Sequence, residues 1–126
     1  DLIGLVDSTM NPTIEAEDYN WYYNADATIE IGLENKTTQT ANAADCGIFE
    51  IQIYQGAPTD IKIGIVGIGS SLADLEKQFG IDIADGAETS PTHIVSIYDT
   101  TTNGQTAYSF YLENGVVTAL DLVSYA

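Results

Sequence analysis

The strongest constraint on this chain is that it writes one pattern twice. Thr28-Ile29-Glu30-Ile31-Gly32-Leu33-Glu34-Asn35 reappears as Ala107-Tyr108-Ser109-Phe110-Tyr111-Leu112-Glu113-Asn114, and Gly47 to Tyr54 reappears as Val116 to Val123. In the second stretch the apolar residues stand at the same places in both copies: Ile48, Ile51 and Ile53, then Val117, Leu120 and Leu122. Successive side chains of a strand point to opposite faces. A three-residue step in each copy therefore throws the pattern onto the wrong face unless one extra residue is absorbed, and each strand is expected to carry a β-bulge there. The shared irregularity predicts two copies of one β-hairpin.

The second copy has the clearer boundaries. Ser71-Leu72-Ala73-Asp74 is a capping-box start with Asp in the place of Glu or Gln, and Leu72, Leu75 and Phe79 recur at helical spacing. Gly80 stands where a helix C-terminus turns left-handed. A helix over 71–79 is predicted, followed by an antiparallel meander with strands near 93–99, 105–113 and 116–124. Asn103-Gly104 and Asn114-Gly115 mark its turns. The first copy gives strands near 19–23, 27–35 and 47–54; its helix would precede Leu2 and is expected to be missing. Ile61, Ile63 and Ile65 alternate within Asp60 to Gly67 and predict a further strand between the units. Their glycines have the wrong spacing for a nucleotide fingerprint and are expected to relieve crowding ahead of the helix. The expected fold is α+β, one domain over 1–126, built as a truncated unit (about 1–57) and a complete unit (about 58–126).

Charge excludes whole classes of partner. Nineteen acids stand against three lysines and no arginine in the 126 residues, a net charge of −16. Nucleic acid and anionic membrane surfaces need a basic footprint that this chain lacks. No apolar run approaches the roughly 18 residues of a membrane span, so no membrane insertion of this domain is expected. The chain opens at Asp1-Leu2-Ile3 without Met, which leads us to expect a mature fragment after removal of a targeting segment, in an extracellular or cell-surface setting.

Catalytic chemistry finds little to work with. Cys46 is the single cysteine, so internal disulfides and cysteine metal clusters are out of reach. It follows Asp45, whose charge would raise the thiol pKa. His93 is the single imidazole, expected at a strand start on the surface or an edge. Glu30 and Glu50 fall on neighbouring strands and read as a solvated sheet face, since the second copy has Ser109 and Ala119 there. A cell-wall glycan hydrolase would need two carboxyl groups about 5 to 10 Å apart in a pocket. No organic cofactor is expected. Calcium is the one metal with candidate ligands, Asp82, Asp85 and Glu88 around Gly86, without the alternating acids of an EF-hand loop.

The run Gly69-Ser70-Ser71-Leu72-x-x-Leu75-x-x-x-Phe79-Gly80, a gap, and aromatic strands ending in Leu112-Glu113-Asn114-Gly115-Val116-Val117-Thr118-Ala119-Leu120-Asp121-Leu122 resembles the helix-plus-meander unit of the β-lactamase inhibitor protein family. It is also similar to small outer-membrane assembly lipoproteins and to uncharacterised bacterial surface lipoproteins. The resemblance spans residues 69–124 and, in part, 2–54. It implies a secreted or lipid-anchored, non-enzymatic bacterial protein that binds another protein on the concave face of a tandem sheet.

Binding candidates follow from the aromatic run Tyr19-Asn20-Trp21-Tyr22-Tyr23, alternate members of which must face opposite sides. A sheet face carrying Trp21, Tyr23 and Tyr111 is the expected contact surface for a protein partner. Thr38 and Asn42 are further candidates, in a loop from Lys36 to Cys46 that is ten residues longer than its counterpart at Asn114-Gly115. A calcium-stabilised surface module is the alternative reading.

Overall fold

The computed structural model describes residues 2–58, 61–83, 91–99 and 106–124. The chain is α+β. Six strands form one antiparallel sheet in the order β2-β3-β5-β8-β7-β6, with β2 Tyr19–Tyr23, β3 Ile29–Glu34, β5 Gly47–Tyr54, β6 His93–Asp99, β7 Thr106–Glu113 and β8 Val116–Ser124. Two short strands, β1 Thr13–Ile14 and β4 Ala41–Asn42, pair separately. The two meanders thus meet through their third strands, β5 beside β8.

Both expected bulges are present. Gly32 pairs with Glu50 and Leu33 with Ile48, which leaves Phe49 over; Tyr111 pairs with Ala119 and Leu112 with Val117, which leaves Thr118 over. The extra residue returns Ile48, Ile51 and Ile53 to one face, and Val117, Leu120 and Leu122 likewise. That face is the core. Tyr22, Ile29, Ile31, Leu33, Ile53, Phe110, Leu112 and Leu120 are buried there.

One layer covers this face. α1, Leu72–Phe79, is capped by reciprocal Ser71 and Asp74 hydrogen bonds and closed by Gly80 at φ 63°. It buries Leu72 and Leu75 and lays Phe79 5.5 Å from Phe110, ring centre to ring centre. A Leu of this kind stabilises by roughly 2 kcal/mol relative to exposure. A 3₁₀ turn at Leu2–Leu5 adds Ile3 and Leu5 beside the core. The segment expected as a strand over 60–67 is instead, where described, a tight turn: Ile63 and Val66 exchange backbone hydrogen bonds of 2.8 and 3.1 Å around Gly64 at φ 62°. The left-handed glycine reverses the chain, and an added Cβ there would collide with Gln78 of α1.

The turn at Asn114-Gly115 has φ of 51° and 78°, both left-handed, as a two-residue hairpin of the type I′ kind requires. The turn expected at Asn103-Gly104 lies outside the described residues. At the matching place in the first meander, Asn35 does different work. It is 2 % exposed, and its Nδ2 donates to the carbonyls of Ile14, Glu15 and Gln39 at 2.8–3.0 Å. Its Oδ1 accepts from the backbone and hydroxyl of Thr37 at 3.0 and 2.7 Å. The long loop is thereby tied to the body, with Ala43 buried and its N–H on the Pro12 carbonyl at 2.8 Å.

Candidate functional site

Among the described residues, no element covers the second face of the large sheet, which is here called the open face. Alternation places Tyr19, Trp21 and Tyr23 of β2 on it, with Glu30, Gly32 and Glu34 of β3 opposite them. It continues through Glu50, Gln52 and Tyr54, Ala119, Asp121 and Val123, Ser109 and Tyr111, and Ile94, Ser96 and Tyr98. Among the described strand residues of this face, only Gly32 and Ala107 are buried. Trp21, Tyr23 and Tyr111, singled out in the sequence, therefore share one face. Tyr22, between the first two, points into the core, its hydroxyl on the Asn11 carbonyl at 2.7 Å.

Two aromatic groupings organise the face. Near β2, the Phe49 ring packs edge-on against Trp21 at 5.0 Å and Tyr19 at 5.8 Å. The bulge that frees Phe49 from pairing lets it lean over Gly32, where an added Cβ would stand 2.6 Å from the Phe49 ring and 2.8 Å from Trp21. Nearer the sheet centre, Gln52, Tyr54, Tyr111, Ala119, Leu120 and Asp121 line a cleft of about 350 Å³. Tyr54 donates to the Gln52 side-chain oxygen, and Gln52 Nε2 donates to Glu50 at 2.8 Å. Tyr23 donates to Glu30 at 3.1 Å.

Asp121 is the electrostatic centre of this face, and sequence reasoning did not single it out. It pairs with Gln52 across the β5–β8 seam. Partial burial, then a hydrogen bond with Glu50 and the charges of Glu50 and Glu30, push its carboxyl up to about 7. Its Oδ1 is fully buried with no donor against it. The neighbouring carboxylates favour the neutral form of Asp121, as expected where acidic groups stand close together. Asp121 can thus take up or give a proton near neutral pH. The outward position of Asp121 follows from alternation after the bulge. Its neighbourhood with Glu30 and Glu50 depends on β8 pairing with β5, a long-range choice with no local sequence signal.

The other sequence candidates lie elsewhere. Thr38 and Asn42 are exposed in the long loop and belong to no strand of the large sheet. That loop and the sheet border a groove of about 460 Å³ lined in part by Thr37, Asp45, Cys46 and Phe49. Burial, then the Asp45 charge, raises the Cys46 thiol, and its Sγ donates to the Asn42 carbonyl at 3.3 Å. His93 opens the edge strand β6. Asp82 is exposed; Asp85 and Glu88, the other expected calcium ligands, lie outside the described residues. Among the described residues no three metal-ligating side chains cluster, and no helix is long and apolar enough to cross a membrane.

Compared with known proteins, the chain matches no family model, no curated protein and no solved structure.

Proposed function

We propose that this domain is a non-catalytic binding module that holds a protein partner on the open face of its six-stranded sheet. One observation carries the reading. Of the ten large apolar side chains that are exposed among the described residues, seven (Tyr19, Tyr23, Tyr54, Ile94, Tyr98, Tyr111 and Val116) project from that single face. Scattered exposure is ordinary in a folded protein, whereas concentration on one face is what interaction surfaces show. Aromatic side chains also supply large contact area at low entropic cost.

The same reading treats the domain as two tandem units, a truncated one (about 1–57) without its helix and a complete helix-plus-meander unit (about 58–126), joined at β5 and β8. Its support is the pair of bulges at matching places, Phe49 and Thr118. It also places the protein outside the cytoplasm of a bacterium, secreted or lipid-anchored, as the sequence resemblance implies. Thr38 and Asn42 would extend the contact beyond the sheet.

The test is capture of the partner by immobilised domain. Trp21→Ala, Tyr23→Ala and Tyr111→Ala should each release the protein that the wild type retains, with circular dichroism unchanged. Equal retention by all three folded variants would overturn the reading.

A further inference from the structure

We propose that the partner is basic, and that it seats an arginine or lysine side chain in the cleft between Tyr54 and Tyr111, with the cation against Asp121 and Glu50. This inference rests on the open face being the binding surface and specifies what it recognises.

Charge complementarity selects the occupant. The open face carries Glu30, Glu34, Glu50, Glu113 and Asp121, and among the described residues of its strands there is no lysine, arginine or histidine outward to balance them. Lys36 lies off the strand and reaches Glu34 at 3.8 Å, at the margin of the face. A second copy of this chain would bring the same charge against itself, at −16 for each copy. Like charges set directly opposite each other disfavour such a contact.

The cleft fits a long cationic side chain in each of its parts. Tyr54 and Tyr111 offer ring surface to an aliphatic stem or a guanidinium plane. Asp121 lines the cleft, with its Oδ1 enclosed and without a donor in the protein, while Glu50, beside the cleft, accepts from Gln52. With the site empty, burial and the neighbouring carboxylates favour the protonated form of Asp121. A cation set against the Asp121 carboxyl, with the Glu50 charge close by, favours the ionised form, and binding then releases the Asp121 proton to solvent. The groups facing the pair are Glu30 and Tyr23 on its β3–β2 side, Tyr54 on β5 and Tyr111 on β7, with Gln52 and Ser109 as neutral neighbours. None of these supplies a competing positive charge.

N-acetyl-arginine amide and its neutral isostere N-acetyl-citrulline amide separate a local site from diffuse attraction to an acidic protein. Backbone amide shifts of the whole chain are followed by NMR as each is added at fixed ionic strength. The expected result is saturable millimolar binding of the arginine probe alone, with shifts centred on Gln52, Tyr54, Ala119 and Asp121. Affinity should be higher at pH 8 than at pH 5.5, and about three- to tenfold lower in Asp121→Asn, as for loss of a partly buried charge-assisted hydrogen bond. Shifts spread over all acidic positions, including Asp74 and Glu76 of α1, with Asp121→Asn equal to wild type, would overturn the proposal. Failure here with retained partner release by Trp21→Ala would remove the basic partner and keep the open face; no effect of Trp21→Ala on partner capture would remove the face itself.

Discussion

Gln52 and Asp121 face each other across the β5–β8 seam, and each is the third residue after the bulge of its own strand. The seam between the meanders therefore runs through a pair of matching positions, one neutral and one acidic. Were both acidic, two carboxylates would be directly opposed beside Glu30 and Glu50. Gln52 instead donates to Glu50 at 2.8 Å, leaving Asp121 as the group whose carboxyl is pushed up.

That arrangement has a pH signature. The Asp121 carboxyl rises from 3.8 in the unfolded chain to about 7 in the fold, so the folded state binds the proton more tightly. Its contribution to stability is fully present below about pH 4 and is lost as pH rises through 7. With solvent screening allowed for, the loss is on the order of 1 to 2 kcal/mol. Urea denaturation of wild type and Asp121→Asn at pH 5 and pH 8 checks this. The variant should gain on wild type at pH 8 and close the gap at pH 5.

Trp21 belongs to the surface and Phe110 to the core. Trp21 touches Phe49 on the open face, whereas Phe110 is fully buried beneath α1. Phe110→Ala should cost about 3 to 5 kcal/mol. Trp21→Ala should cost about 1 kcal/mol, chiefly its edge contact with Phe49. Thermal melts of the two variants distinguish the roles, and equal losses would place Trp21 in the core.

Asn35 and Asn114 end matching strands but should respond differently to alanine. Asn35→Ala leaves the buried Ile14 carbonyl and the part-buried Glu15 and Gln39 carbonyls without their donor, at a cost of about 1 to 3 kcal/mol. Asn114→Ala strains a left-handed turn residue at φ 51°, at about 1 kcal/mol. Hydrogen exchange should show the 36–46 loop opening in the first variant alone.

Gly32 keeps the aromatic end of the open face in place. Gly32→Ala sets a methyl within 2.6 Å of the Phe49 ring, which must shift at about 1 to 3 kcal/mol. Tryptophan fluorescence should move to longer wavelength as Trp21 loses its neighbour. An unchanged spectrum with unchanged stability would contradict the packing described.

Local rules carried much of this fold. The capping box at Ser71, the left-handed Gly80 and the bulges after Ile48 and Val117 are all short-range signals, and they set the helix and the strand ends. The strand expected through Ile63 failed for an equally local reason, since Gly64 turns the chain between the apolar residues that had suggested alternation. The loop after Asn35 was harder, because its order comes from a side chain reaching carbonyls up to 21 residues away. Trp21, Tyr23 and Tyr111 could be read as outward from alternation alone. The cleft could not, because Tyr54, Tyr111 and Asp121 come from three strands whose adjacency is a tertiary choice.

The most direct test of the open face is oxidative footprinting of the domain alone and with its captured partner. Free in solution, Tyr19, Trp21, Tyr23, Tyr54, Tyr98 and Tyr111 should label readily, while Tyr22 should not. Binding should protect the first group together. Protection confined to α1 or to the 36–46 loop, with the sheet aromatics still labelled, would contradict the account.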